Sequence, residues 1–240
     1  MLWDKIKPIL IPEETYMEKD IQIIRWYEAV RRRPAMYIGG TDECHLLWLT
    51  GELMECPERP QKITLTLRGQ VIEIDSIGVA PSMRPRGNDV PPFLVEACTS
   101  LWVGLDHPPT LAGVELLDTS SKPATFRREG RISMALALAN ALSVEMQVCS
   151  RSGGTATRLI FSRGLLTSEP RTEETGESDG LFIRFEPDEQ IFGQFALYFE
   201  RLAIVARGVA LVRRIPVDLL DQKRDLRFTF DPFAHYEGAQ

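Results

Sequence analysis

Histidine and cysteine are scarce in this chain, and so is any surplus of positive charge. Three histidines and four cysteines are spread through 240 residues. Cys44, Cys56, Cys98 and Cys149 form no Cys-x-x-Cys pair, so the usual spacing of a structural zinc site is missing and no metal is expected. Scattered thiols fit a reducing compartment. The first residues show no basic segment followed by an apolar run, so a secretory signal is not expected and the cytoplasm is. No apolar run approaches the roughly 20 residues that cross a bilayer, so no membrane partner is expected. Twenty-eight basic residues against thirty-four acidic ones give a net charge of −6. Such a surface offers no basic coat for nucleic acid, and direct DNA binding is not expected. G-x-S-x-G, P-loop and H-E-x-x-H motifs are absent as well.

What is present suits a globular protein: 44% of residues are hydrophobic and 26% charged. Residues 1–20 read as an arm. Leu2, Trp3, Ile6, Ile9, Leu10 and Ile11 are apolar without period, and Pro8 and Pro12 interrupt any regular element. Such an arm lies across a surface, either its own or that of a second copy in a homodimer. Residues 21–240 read as one domain.

Asp20 is positioned to cap a helix from Ile21 to about Arg32, stopped by Pro34. Asp42 is positioned to cap a second, to about Met54, with Leu46, Leu49 and Leu53 on one face. Ile63, Leu65 and Leu67 alternate with polar residues as a strand, and Gly69-Gln70 turns it into Val71–Ile74. Gly78 to Pro92 is dense in breakers and reads as a loop. Helices follow at 92–102 and 132–142. Strands follow at 144–148 and 155–161 around a Ser152-Gly153-Gly154 turn. The acidic stretch Glu169–Asp179 reads as an exposed loop. Then come a strand at 181–185, a helix near 194–206 ending at Gly208, and strands at 209–212 and 226–230. Strict β-α-β alternation is absent. The expected architecture is α+β, a two-layer sandwich of a mixed, mostly antiparallel sheet with helices on one face.

Isolated candidates for chemistry are thin. Cys98 and His107 read as a buried helix cysteine and a loop histidine rather than a catalytic pair. Ser152-Gly153-Gly154 precedes no helix, so a hairpin turn outweighs a phosphate cradle. Arg31-Arg32-Arg33 reads as a solvated helix end. Arg127, Arg128 and Arg131 read equally as solvated residues or as a phosphate contact.

One stretch is more specific. Glu28-Ala29-Val30-Arg31-Arg32-Arg33-Pro34-Ala35-Met36-Tyr37-Ile38-Gly39 resembles the E-A-V-R-x-R-P-x-M-Y-I-G opening of the gyrase B and topoisomerase IV ATPase domain, a GHKL or Bergerat-fold family. Further matches come in that family's order. Val71–Asp75 sits where the family has the strand before its D-x-G-x-G-I-P loop. Asn140-Ala141-Leu142-Ser143 resembles the N-A-L-S closing the helix after its glycine-rich loop. Gly180–Pro187 resembles the strand after T-G-T, and His235-Tyr236-Glu237-Gly238 the close of the subdomain.

The resemblance implies a nucleotide site whose chemistry is missing here. Leu49 occupies the position of the family's water-activating Glu, so no catalytic residue is expected. Leu53 replaces its magnesium-binding Asn. Asp75 falls on the Asp that accepts a hydrogen bond from adenine. Ile77 and Val79 replace the next two glycines, with Gly78 between them. Glu129-Gly130-Arg131-Ile132-Ser133-Met134-Ala135 stands for the glycine-rich phosphate loop, and Asp179 for the first Thr of T-G-T. Asp75, Gly78, Gly130 and Arg131 are therefore the expected remnant of a nucleotide site. The chain lacks the family's next domain and its cleavage domains, so strand passage by this chain alone is not expected.

Two functional readings follow. One is a degenerate pseudo-ATPase that needs no cofactor and works through an unidentified protein partner. The other is an ATP-binding protein or slow ATPase with a rebuilt site, requiring ATP and magnesium and linked to DNA topology. Simultaneous loss of the base, the metal ligand and most loop glycines favours the first. An unrelated interaction domain fits poorly with matches in one order from Ile21 to Gly238.

Overall fold

The computed structural model describes residues 24–81, 83, 92–101, 124–194 and 196–233. Helices α1 (Trp26–Arg32), α2 (Ala35–Ile38) and α3 (Glu43–Met54) lead into strands β1 (Glu58–Arg68) and β2 (Val71–Val79). Helices α4 (Phe93–Thr99) and α5 (Ala124–Ala141) precede β3 (Ser143–Ser152), β4 (Thr155–Ser162), β5 (Leu165–Leu166), β6 (Arg171–Glu174) and β7 (Gly180–Pro187). The short α6 (Glu189–Phe192), α7 (Phe199–Arg213), β8 (Val217–Asp221) and β9 (Leu226–Phe230) complete the chain. The nine strands form one sheet in the order β5-β4-β3-β7-β2-β1-β8-β9, with β6 beside β4. Among the described strands β1 and β8 pair in parallel, and the other pairs are antiparallel. The expected α+β architecture is the one observed.

Strand alternation sorts the two faces. Ile63, Leu65, Ile72, Ile74, Met146, Val148, Leu159, Phe161, Leu181, Ile183, Val217 and Leu219 are buried in one core with Leu46, Leu49, Leu53, Leu136 and Leu202 of the helices. The opposite face carries charge. Arg68 meets Glu73 at 2.7 Å and Arg184 meets Glu145 at 2.7 Å. Asp218 is held there by Lys62, Arg227 and the Thr229 hydroxyl.

Several boundaries differ from the sequence reading. Helix α1 begins at Trp26 with Arg25 extended before it, so Asp20 does not cap it. The segment after Pro34 makes the extra turn α2, closed by Gly39 in the left-handed region at φ 87. Helix α5 starts at Ala124, eight residues before Ile132. The acidic stretch contains β6, paired with β4. Gly208 does not end α7, and Val209–Val212 is helix rather than strand. A glycine costs a helix about 1 kcal/mol, and burial of Leu202, Ala206, Val209 and Ala210 on the same helix outweighs that. Arg214, at φ 54, ends the helix instead, ahead of Pro216. The true strand is Val217–Asp221, which the sequence reading missed.

Asp42 caps α3 as expected, accepting from the amides of Cys44 and His45. The junction of α5 and β3 is more densely tied. Arg31 donates to the carbonyl of Ala141 at 2.9 Å and to buried Asp188 at 2.7 Å. Arg163 donates to the same carboxylate at 2.9 Å. The Asp188 amide donates to the Leu142 carbonyl, and the Gly164 amide to Asn140. Asn140 also donates to the Cys98 carbonyl at 2.8 Å. Burial pushes the Asp188 carboxyl up, but its bonds from Arg163 and Arg31 outweigh this and hold it below the usual range.

Removing one partner of a buried pair costs about 3–5 kcal/mol, because the other charge stays buried. Arg31→Ala should therefore lower urea-measured stability by about 3 kcal/mol at neutral pH. A depressed carboxylate contributes fully above its unfolded pKa, and its contribution fades as pH falls through the folded value. The gap between wild type and Arg31→Ala should narrow below about pH 4. A gap unchanged between neutral and acid conditions would exclude Asp188 as its source.

Candidate functional site

Helix α3 turns Leu46, Leu49 and Leu53 inward. Leu49 is 1% exposed and Leu53 0%. Both positions that the resemblance assigns to catalysis and magnesium are thus filled core. Thr50 on the same helix spends its hydroxyl on the Leu46 carbonyl. Glu52 and Glu55 project elsewhere, lining a groove between α3 and α7, where Glu55 pairs with Arg213 at 3.1 Å.

The end of β2 decides the fate of Asp75. Ile72, Ile74 and Ser76 point into the core, so Asp75 opens on the charged face of the sheet. Ser76 takes the inward place. Its hydroxyl donates to the Leu181 carbonyl and accepts from the Leu181 amide, and it is 0% exposed. Gly78, at φ 150, lies against β1, where an added Cβ would stand 2.8 Å from the Arg59 carbonyl oxygen. Its glycine identity serves this close approach.

On the charged face, Arg151 organises a cleft of about 500 Å³ lined by Asp75, Cys149, Arg158, Glu177 and Phe182. The Arg151 guanidinium is buried and donates to Asp75, to Glu177 at 2.8 Å and to the Ser76 carbonyl at 3.2 Å. Burial works against its charge, and the two carboxylates more than restore it. Burial also pushes the Cys149 thiol up, against the pull of Arg158 and Arg151. Asp75 is therefore one half of an ion pair. Sequence reasoning missed Arg151, Glu177 and Ser76. The parity of Ile72 and Ile74 was the available signal for Ser76; nothing local announced Arg151.

Gly130 and Arg131 both lie within α5, where the backbone amides of residues 129–135 are spent on helical hydrogen bonds. Asp75 lies on the other face of the sheet from the core against which α5 packs. The Ser152-Gly153-Gly154 segment is a hairpin turn, with Gly153 and Gly154 at φ 59 and 80. Asp179 fixes it by accepting from the Gly153 amide at 2.9 Å. Cys98 is fully buried and its thiol is pushed well up by desolvation, which removes it as a nucleophile. His107, the arm and the His235–Gly238 segment lie outside the described residues. Among the described residues no group of three His, Cys, Asp or Glu side chains could hold a metal ion. No helix among them is long and apolar enough to cross a membrane.

No protein-family model matches the chain. It is 26% identical over 235 residues to the chloroplastic/mitochondrial DNA gyrase B of Oryza sativa, covering 93% of this chain and 31% of that protein. DNA gyrase B of Clostridium acetobutylicum is 27% identical, over 94% of this chain and 34% of its own length. That of Haloferax volcanii is 28% identical, over 91% and 34%. The chain thus spans about a third of the length of these relatives. The 43K ATPase domain of Thermus thermophilus gyrase B, in complex with an aminocoumarin, superposes with a TM-score of 0.69 at 22% identity. The match covers 86% of this chain and 51% of that one, and the fold is shared.

A glutamate restored at position 49 would enter apolar core. Leu49→Glu should cost about 3–5 kcal/mol at neutral pH and confer no ATP turnover. A buried acid has a raised pKa, so the deficit should shrink as pH falls from neutral toward about 4.3 and level off below it, where the unfolded-state glutamate is protonated too. A Leu49→Glu protein as stable as wild type in urea would mean that position 49 faces a polar site.

Proposed function

From a distant kinship with DNA gyrase B that spans most of the chain, we propose a gyrase-B-like scaffold that does not hydrolyse ATP and acts by binding another protein. The observation that carries this is the burial of Leu49 and Leu53 at 1% and 0% exposure. A base must reach water and a metal ligand must reach phosphate, and a sealed leucine does neither. Two further features support the reading. The segment resembling the phosphate loop is helical, so its amides are spent internally. Where β2 and β7 meet beneath the helices, the Ser76 hydroxyl is spent on the Leu181 carbonyl and amide. The polar cleft around Arg151 lies on the far side of the sheet from α5 and holds its own compensating charges.

With neither reaction nor cofactor in this reading, the function rests on surface. The partner is a protein rather than DNA, since the net charge of −6 gives no long-range attraction to phosphate.

Linkage provides the test. A ligand at a hundred times its dissociation constant stabilises the folded state by about 2.7 kcal/mol. In a chain of this size each kcal/mol moves the midpoint by about 2–4 °C. Millimolar ATP or ADP with magnesium should leave the melting temperature unchanged, and phosphate release should stay at background. A shift of several degrees would establish a rebuilt nucleotide site, and its loss on Asp75→Ala would locate that site in the Arg151 cleft.

A further inference from the structure

Strand β9 ends the sheet, and among the described residues only β8 pairs with it. Among the described residues, then, its outer edge presents a ladder of N–H and C=O groups without a partner, a template for another strand. Leu226, Phe228 and Phe230 share the face that carries Val217 and Leu219 in β8. Leu226 is 41% exposed and Phe228 52%, and the rings of Phe228 and Phe230 lie 4.8 Å apart. On α7, which contacts β9, Ile204 and Leu211 recur seven residues apart at 73% and 57% exposure. Edge strands of monomers are usually blunted by lysine, proline or a bulge. Leu226-Arg227-Phe228-Thr229-Phe230 has none of these.

We propose that β9 is a self-association edge, through which two copies of this chain pair antiparallel about a two-fold axis at Phe228. The sequence of the strand selects a second copy as the occupant. In that register Leu226 faces Phe230 of the other copy, and Phe228 faces its own equivalent. Arg227 faces Thr229, so the ladder sets no like charges opposite each other. The like-charge pair the register creates, Asp225 opposite Asp231, falls beyond the ladder with Arg227 on its diagonal. An axis normal to the sheet keeps both helix layers on one side. The apolar row then runs unbroken across the seam. This inference does not depend on the fate of the nucleotide site.

The test is the mass of the intact chain by light scattering and sedimentation over about a hundredfold range of concentration. Wild type should move from one chain to two. Phe228→Lys sets two ammonium groups opposite each other and should keep a single-chain mass, with circular dichroism and melting unchanged because the side chain is half exposed. In a Cys44→Ser background, Phe228→Cys should be trapped by mild oxidation as a covalent dimer, since facing positions bring Cβ atoms to about 4.5–5.5 Å. This arm decides the matter if the lysine variant unfolds. A wild type monomeric throughout, or a dimer that Phe228→Lys leaves intact, as pairing through the N-terminal arm would, overturns the proposal. Absence of the dimer leaves the nucleotide reading standing.

Discussion

The guanidinium of Arg31 sits where helix α1, the end of α5, the β4–β5 turn and the end of β7 converge. It satisfies a carbonyl that α5 leaves open and a carboxylate, Asp188, buried beneath it. Helix ends leave carbonyls without partners, and a buried one needs a donor from elsewhere. The neighbouring carbonyls of Asn140, Leu142 and Ser143 are met by the amides of Gly164, Asp188 and Arg163. Every one of these groups at the turn from helix layer to sheet is thus met by a distant segment. The order of α5, β3 and β7 follows from closing this junction without an orphaned polar atom.

The same junction accounts for much of the resemblance. The stretches that carry the resemblance, around Arg31 and from Asn140 to Ser143, are those that build the junction. Their residues are held by folding, and at Leu49 and Leu53 folding asks only for an apolar side chain. An unpaired polar side chain on the inner face of α3 would pay its desolvation cost. Leucine contributes burial there instead, as Leu46, Leu49 and Leu53 do.

Alternation and caps were legible in the sequence because they are local. Asp42 before α3, Gly69-Gln70 between β1 and β2, and the inward rows of β1 and β7 all follow from spacing a few residues wide. What failed was decided by partners far along the chain. Gly208 looked like a stop and is tolerated because α7 is packed against the sheet. Glu169–Asp179 looked like free acid, yet Glu177 serves Arg151 and Asp179 serves the Gly153 amide. Asp75 was read from the order of the motifs, and its surroundings are set by strand parity, which turns it to the charged face. A shift of one residue reverses the face of a strand, and here the side chains of Ile72 and Ile74 fix which face is which.

The two faces of the sheet then divide the molecule's options. The inner face is closed by leucine, isoleucine and phenylalanine, with Ser76 and Asn140 fully paired. The outer face is polar, but its charges are largely matched, Arg68 with Glu73, Arg184 with Glu145, Arg151 with Asp75 and Glu177. A matched pair of surface charges attracts a third weakly. Backbone groups at a sheet edge have no such compensation, and half-exposed phenylalanines gain by leaving water. Among the described residues, the sheet end at β9 combines both, an outer edge with no partner strand and two half-exposed apolar side chains, Leu226 and Phe228.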